Sequence, residues 1–178
     1  LVGAHPLQRR GPDRRIVLRR AWEQPDKVAP ILMRALEAMS KIADVKIRRP
    51  RLRDLLALRS MLNVSWGAAY GRMEGISADI QTARFSWLET LIAIQLRDET
   101  AGHGTRLFAI ADNRIAGFVQ SSQHPKGQIN LWMLYIDPAF QGRGIGSLLL
   151  AAAVESYTDA NRIRLEVLQP NTKAIEWY

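Results

Sequence analysis

Leu131-Trp132-Met133-Leu134-Tyr135-Ile136-Asp137-Pro138-Ala139-Phe140-Gln141-Gly142-Arg143-Gly144-Ile145-Gly146-Ser147 joins a strand to a helix through a glycine-rich loop. From Gln128 to Ile136 the residues suit a strand, and Asp137-Pro138 closes it. From Gly144 to Thr158 the chain is strongly apolar and predicts a buried helix. Gly142, Gly144 and Gly146 occupy alternate positions and remove the side chains that would hold a ligand away from the backbone. The first amides of a helix have no internal acceptors and face outward with the positive end of its dipole. The stretch from Leu131 to Tyr157 is therefore built to take a pyrophosphate, with Arg143 as a cation beside it. The same glycines also suit a plain strand-to-helix turn that needs positive φ, and at this level both readings stand. Two better-known nucleotide loops do not fit. A dinucleotide fingerprint counted from Gly142 needs a glycine where Ser147 stands, and no Gly-Lys-Ser/Thr string exists.

Upstream, Val45 to Arg48 predicts a short strand ended by Pro50, and Leu52 to Trp66 a helix. Gly67, Gly71 and Gly75 loosen the next stretch, and Ala78 to Arg97 reads as a second helix. Arg106 to Ala111 and Ile115 to Gln120 are strands joined by Asp112-Asn113-Arg114, a tight antiparallel hairpin. Downstream come a strand from Ile163 to Leu168 and a helix opening at Asn171. The order predicts a mixed α+β fold: a mostly antiparallel sheet flanked by helices, with one parallel crossover near its end.

Residues 1–38 read differently. Arg9, Arg10, Arg14, Arg15, Arg19 and Arg20 come in pairs among prolines, and Met33 is the first methionine. The expectation is a basic leader, disordered or not native, before a domain over 39–178 that starts naturally at Met39 or Met33. The alternative is a basic arm for nucleic acid. The net charge of +8 points to an anionic partner, but its distribution argues against nucleic acid and membrane. Residues 1–38 hold eight Lys/Arg against four Asp/Glu, and residues 39–178 hold seventeen against thirteen. No run approaches the length of a transmembrane helix. With no cysteine, thiol nucleophiles, thiolate metal sites and disulfides are excluded, which suits a reducing cytoplasm. His5, His103 and His124 lack metal-ligand spacing, so no metal is expected.

Gln141-Gly142-Arg143-Gly144-Ile145-Gly146 resembles the Gln/Arg-x-x-Gly-x-Gly/Ala signature of the GNAT superfamily of N-acetyltransferases. Leu134-Tyr135-Ile136-Asp137-Pro138 precedes it as that family's fourth strand does. Asn171, Ala174 and Trp177-Tyr178 are similar to its Asn-x-x-Ala-x-x-aromatic/Leu-Tyr stretch. The resemblance covers residues 45–178 and implies an acyl-CoA N-acyltransferase fold. The family continues after the tyrosine through two more strands. The expectation is thus an N-acetyltransferase domain over 39–178 lacking its last C-terminal strands, which a homodimer partner would be able to supply.

The resemblance implies acetyl-CoA as co-substrate and direct attack on it by a primary amine of a small molecule or peptide. It implies cofactor binding by Gln141, Gly142, Arg143, Gly144, Ile145 and Gly146 at the pyrophosphate, and by Leu134 and Ile136 through backbone groups along the pantetheine. A backbone N–H near Leu134 or Tyr135 would meet the thioester oxygen, Asn171 would bond the pantetheine arm, and Tyr178 would be the general acid. Glu89, Asp98, Glu99 and Glu166 are candidate bases, none singled out, and Tyr135 is placed at the acceptor. A non-catalytic CoA-binding or regulatory module of the same fold is the alternative.

Overall fold

The computed structural model describes residues 15–21, 44–71, 104–124, 127–157, 162–168 and 170–178. The elements are β1 (Arg15–Ala21), β2 (Lys46–Arg48), α1 (Leu55–Tyr70), β3 (Gly104–Ala111), β4 (Arg114–His124), β5 (Gln128–Ile136), α2 (Ile145–Glu155), β6 (Arg162–Leu168) and α3 (Thr172–Trp177). The strands form one sheet in the order β1-β6-β5-β4-β3-β2. Among the described residues only β5 and β6 are parallel; every other neighbouring pair is antiparallel. The expected mixed, mostly antiparallel sheet with one parallel crossover is what forms.

The β3–β4 hairpin closes through Asp112 at φ 50° and Asn113 at φ 58°. Asp and Asn are the non-glycine residues that best tolerate this left-handed region, and two such residues in succession match strand twist. Alternation along the strands then sends side chains to two faces. On one, Phe108, Ile115, Phe118 and Met133 pack with Leu58, Met61 and Leu62 of α1. On the other, Ala109, Val119, Leu131, Leu165 and Val167 pack with Ile145, Leu149, Leu150 and Ala153 of α2. Each large side chain buried this way contributes roughly 1.5–3 kcal/mol. Gly117 lets α2 lie close, because a Cβ there would stand 2.7 Å from Ile136 Cδ1 and 2.8 Å from Leu149 Cδ1.

Two expectations shift. The first helix runs on through Gly67 to Tyr70, past the expected end at Trp66. Buried Trp66 carries Tyr70 one turn further, their ring centroids 4.4 Å apart, and this packing outweighs the glycine's poor helix propensity. Within the leader, the backbone of Arg15–Ala21 pairs with β6 from Arg15↔Leu168 to Ala21↔Arg162, so β6 has strands on both sides. The expected helix at Ala78–Arg97 lies outside the described residues.

Asp54 fastens β2 to the start of α1. Its carboxylate accepts from Arg48 Nη1 at 2.6 Å and Nη2 at 3.0 Å, and from the Arg51 amide at 2.7 Å. The Arg48 hydrogen bonds first, then the Arg51 amide and the nearby positive charges, hold its carboxyl below the usual value against the opposing effect of burial. A depressed carboxyl pKa adds stability that is present above the unfolded value of about 3.9 and lost as pH falls through the folded one. Asp54→Asn is expected to cost about 2 kcal/mol in urea unfolding at pH 7. The difference from the parent should shrink as pH drops below about 4; a difference independent of pH would contradict this assignment.

Candidate active site

At the end of β5, Asp137 builds the loop. It is buried, its N–H donates to Ala116 O at 2.9 Å, and its Oδ1 accepts from Ala139 N at 2.9 Å. Pro138–Phe140 form one 3-10 turn, and buried Phe140 takes the guanidinium carbons of Arg143 and Arg114 at 5.1 and 5.7 Å from its ring centre. Gln141, Gly142 and Arg143 are exposed. Gly142 at φ 76° and Gly144 at φ 81° are left-handed, so both glycines answer a conformational need. A Cβ on Gly142 would meet nothing within 4 Å. The space beside this backbone is open.

Gly144 caps α2 with no side-chain hydrogen bond, and the helical ladder opens with Leu148 N donating to Gly144 O at 3.1 Å. The amides of Ile145, Gly146 and Ser147 thus lack intrahelical acceptors, and with Arg143 and Arg114 nearby they favour an anion. Behind them, a Cβ on Gly146 would stand 3.2 Å from Trp177 Cζ2, so α3 rests on the start of α2.

The second feature is a gap in the sheet. β5 and β6 pair only from Gln128↔Arg162 to Leu131↔Leu165. On the other side of β5 the register slips at the same level: Gln120 faces Met133 and Ser121 faces Leu131, leaving Trp132 as a bulge. A bulge bends its strand and increases twist, which accounts for the parting of β5 from β6. Backbone directions above it follow from Asp137 N bonding Ala116 O, its opposite residue. Tyr135 and Met133 then direct their backbone groups to β4, and Leu134 and Ile136 direct theirs away, into the gap. Of the two amides expected near an oxyanion, that of Leu134 points into the gap and that of Tyr135 points toward β4. Ile136 O accepts from Ser65 Oγ and from Gln141 Nε2, each at 3.2 Å.

The gap is walled by aromatics. Trp66 Nε1 donates to Tyr135 OH at 3.0 Å, and Asn171 Nδ2 donates to Tyr70 OH at 3.3 Å. Asn171 Oδ1 accepts from Ala174 N at 3.2 Å and caps α3, so the side chain expected to meet a ligand also anchors α3 to α1. Tyr178 stands against the α2-face cluster and edge-on to Trp177, centroids 4.9 Å apart. The residue as a whole is half-buried, but burial of its phenol raises the pKa well above the usual tyrosine value, and the Tyr135 and Tyr70 phenols raise it further. Among the candidate bases, Glu166 is exposed with Arg164 Nη2 at 3.1 Å; Glu89, Asp98 and Glu99 lie outside the described residues. Ser65 and Tyr70 join the site without a motif to announce them, although Trp66 and Tyr70, four apart, share one helix face. Among the described residues no cluster of His, Cys, Asp or Glu is placed to hold a metal ion, and no helix is long and apolar enough to cross a membrane.

Loop, gap and tyrosine sit in a chain whose residues 72–178 match the acetyltransferase (GNAT) family. The chain belongs to that family. Its fold is similar to PaiA N-acetyltransferase of Thermoplasma acidophilum in complex with coenzyme A, with TM-score 0.66 and 21% identity over 76% of this chain and 86% of that one. It is also similar to the ribosomal-protein-S18-alanine N-acetyltransferase of Escherichia coli, with TM-score 0.53 and 19% identity over 75% and 74%. Another is an aminoglycoside acetyltransferase from an uncultured soil metagenomic sample in complex with sisomicin, with TM-score 0.50 and 18% identity over 75% and 84%. No curated protein sequence matches the chain.

Proposed function

We propose that the protein transfers an acetyl group from acetyl-CoA to a primary amine. The observation that carries this reading is the uncapped start of α2 behind the exposed Gln141–Arg143 loop, at the end of β5 where it has parted from β6, in a chain of the acetyltransferase family. These residues fit CoA: amides and arginines at the loop suit a pyrophosphate, and the backbone of Leu134 with the N–H of Ile136, whose carbonyl is already taken by Ser65 and Gln141, suits the amide-bearing pantetheine arm. When bound, acetyl-CoA supplies a thioester whose carbonyl carbon gains the bond to the amine nitrogen as the C–S bond breaks, giving N-acetylated amine and CoA.

The protein's residues bind, orient and move protons. The Gly142–Gly146 amides hold the phosphates and Arg143 reinforces them, while the Gln141 N–H already donates to Pro138 O at 3.3 Å. The Leu134 N–H donates to the thioester oxygen, where negative charge develops. Tyr178 gives its phenolic proton to the departing sulfur; its raised pKa keeps that proton available at neutral pH. The ammonium proton of the acceptor leaves to water before attack, and the second proton, which the nitrogen sheds as the amide forms, returns the Tyr178 phenolate to the phenol. Absence of cysteine supports direct transfer and a cytoplasmic setting.

The test is CoA thiol release over an amine library, alongside calorimetric titration with CoA. Release that depends on one class of amine supports the proposal. Tight CoA binding with no acetylated amine would instead identify a non-catalytic CoA-binding module.

A further inference from the structure

Arg106 is an unusual resident of β3. Alternation puts it on the same face as Phe108, directly opposite Gln120, at the margin of the area α1 covers. Its Nε is buried with no hydrogen-bond partner. The ion pairs found among the described residues are Arg48–Asp54, Arg114–Asp137 and Arg164–Glu166, and Arg106 belongs to none of them. Burial lowers its pKa from the usual arginine value, and the Tyr157 phenol opposes this in part. A guanidinium that is partly desolvated and short of acceptors is unfavourable in the free protein and favourable once an anion meets it.

Small and polar residues flank this guanidinium. Gly104, two residues back on the same face, has no side chain, and a Cβ there would stand 3.8 Å from Arg106 Nη2. Half-buried Gln120 and Ser122 stand across on β4, and exposed Trp132 donates from Nε1 to Ser122 Oγ at 2.8 Å. The acceptor must come from this side of the sheet. The other face is filled by Ile145, Leu149, Leu150 and Ala153 of α2, whose N-terminus takes the phosphates. Arg106, Gln120 and Met133 lie on one rung of the sheet, so Arg106 is about two strand spacings, roughly 10 Å, from β5 at its bulge. That distance is partly spanned by the arginine side chain itself.

We infer that Arg106 is the recognition site for a carboxylate on the acceptor, which makes the substrate a primary amine bearing a carboxylate a few bonds away, of the amino-acid class. The inference rests on the N-acetyltransferase reading above. A planar carboxylate accepts two parallel N–H bonds from a guanidinium edge and so meets the unsatisfied Nε together with a neighbouring Nη.

The experiment is thiol release by the full chain with matched acceptors: amino acids, their amides, the decarboxylated amines and the corresponding aminophosphonates. Carboxylated acceptors are expected to exceed their amides in kcat/KM by about 10- to 100-fold. Arg106→Gln is expected to narrow that difference, mainly through KM, and Arg106→Lys to restore part of it. Thermal melting separates recognition from structure, because losing an unpaired guanidinium leaves the midpoint unchanged or higher. Equal rates for acids and amides, a preference for phosphonates, or a marked loss of melting temperature in Arg106→Gln would each overturn the carboxylate assignment while leaving acetyl transfer intact. A protein that binds CoA and acetylates none of these amines, nor any in the wider library, ends both readings.

Discussion

Replacing Tyr178 with phenylalanine is expected to lower kcat by about 10²- to 10³-fold while leaving CoA affinity little changed. The substitution keeps the ring, so its edge-on contact with Trp177 and its place against the α2-face cluster survive. What disappears is one hydroxyl, held where burial first, and then the Tyr135 and Tyr70 phenols, disfavour the phenolate. The sign of that shift matters for the pH profile. A raised pKa keeps the acid protonated beyond its ordinary value of about 10, so Tyr178 adds no falling limb to kcat at or below that pH. Folding holds this proton more tightly than the unfolded chain does, so its effect on stability is a loss as pH rises above about 10. Steady-state rates from about pH 6 to 10, paired with CoA titration of both proteins, check this. Wild-type kcat in the phenylalanine variant would remove Tyr178 from the chemistry.

How far the site is legible from sequence depends on the range of the interactions that build it. The loop is local. Asp137 capping Ala139, two left-handed glycines and an uncapped helix start all lie within about ten residues, and each follows from residue types. The hairpin at Asp112-Asn113 is local too, and its positive φ values are what those residues tolerate. Strand identities over β3 to β6 follow from apolar periodicity for the same reason.

The rest depends on partners far apart in the chain. Ser65 meets Ile136 O across 71 residues, and Asn171 meets Tyr70 across 101. Nothing near Ser65 distinguishes it from any other helical serine until the sheet is assembled. The bulge at Trp132 is equally hidden, because alternation in β5 looks regular until β4 sets the register and one residue is left over. Arg106 leaves a faint trace as a cation entering an apolar strand, Arg-Leu-Phe-Ala-Ile, but its missing partner is visible only in three dimensions. The leader misleads by composition: arginine pairs and prolines obscure Arg15-Ile16-Val17-Leu18, whose backbone finds an edge on β6.

The pyrophosphate reading is tested most sharply at Gly142, with two substitutions that differ in one charge. Asn and Asp are nearly the same size, and both tolerate the left-handed conformation that φ 76° demands, so the loop should survive either change. Neither meets a clash, since the Cβ position has nothing within 4 Å. What they would enter is the space the uncapped α2 amides face. A carboxylate about 5 Å from a phosphate, at an effective dielectric near 20, is unfavourable by about 3 kcal/mol, or roughly 100-fold in Kd. Gly142→Asp is therefore expected to weaken CoA about 100-fold relative to Gly142→Asn in calorimetric titration. Raising the salt should narrow that difference, because this part of the loop is exposed and its charges are screened. Equal losses for the two variants would mean that the loop excludes a side chain by shape alone and that no phosphate lies beside it. A larger loss for Asp assigns an electrostatic role to the same backbone.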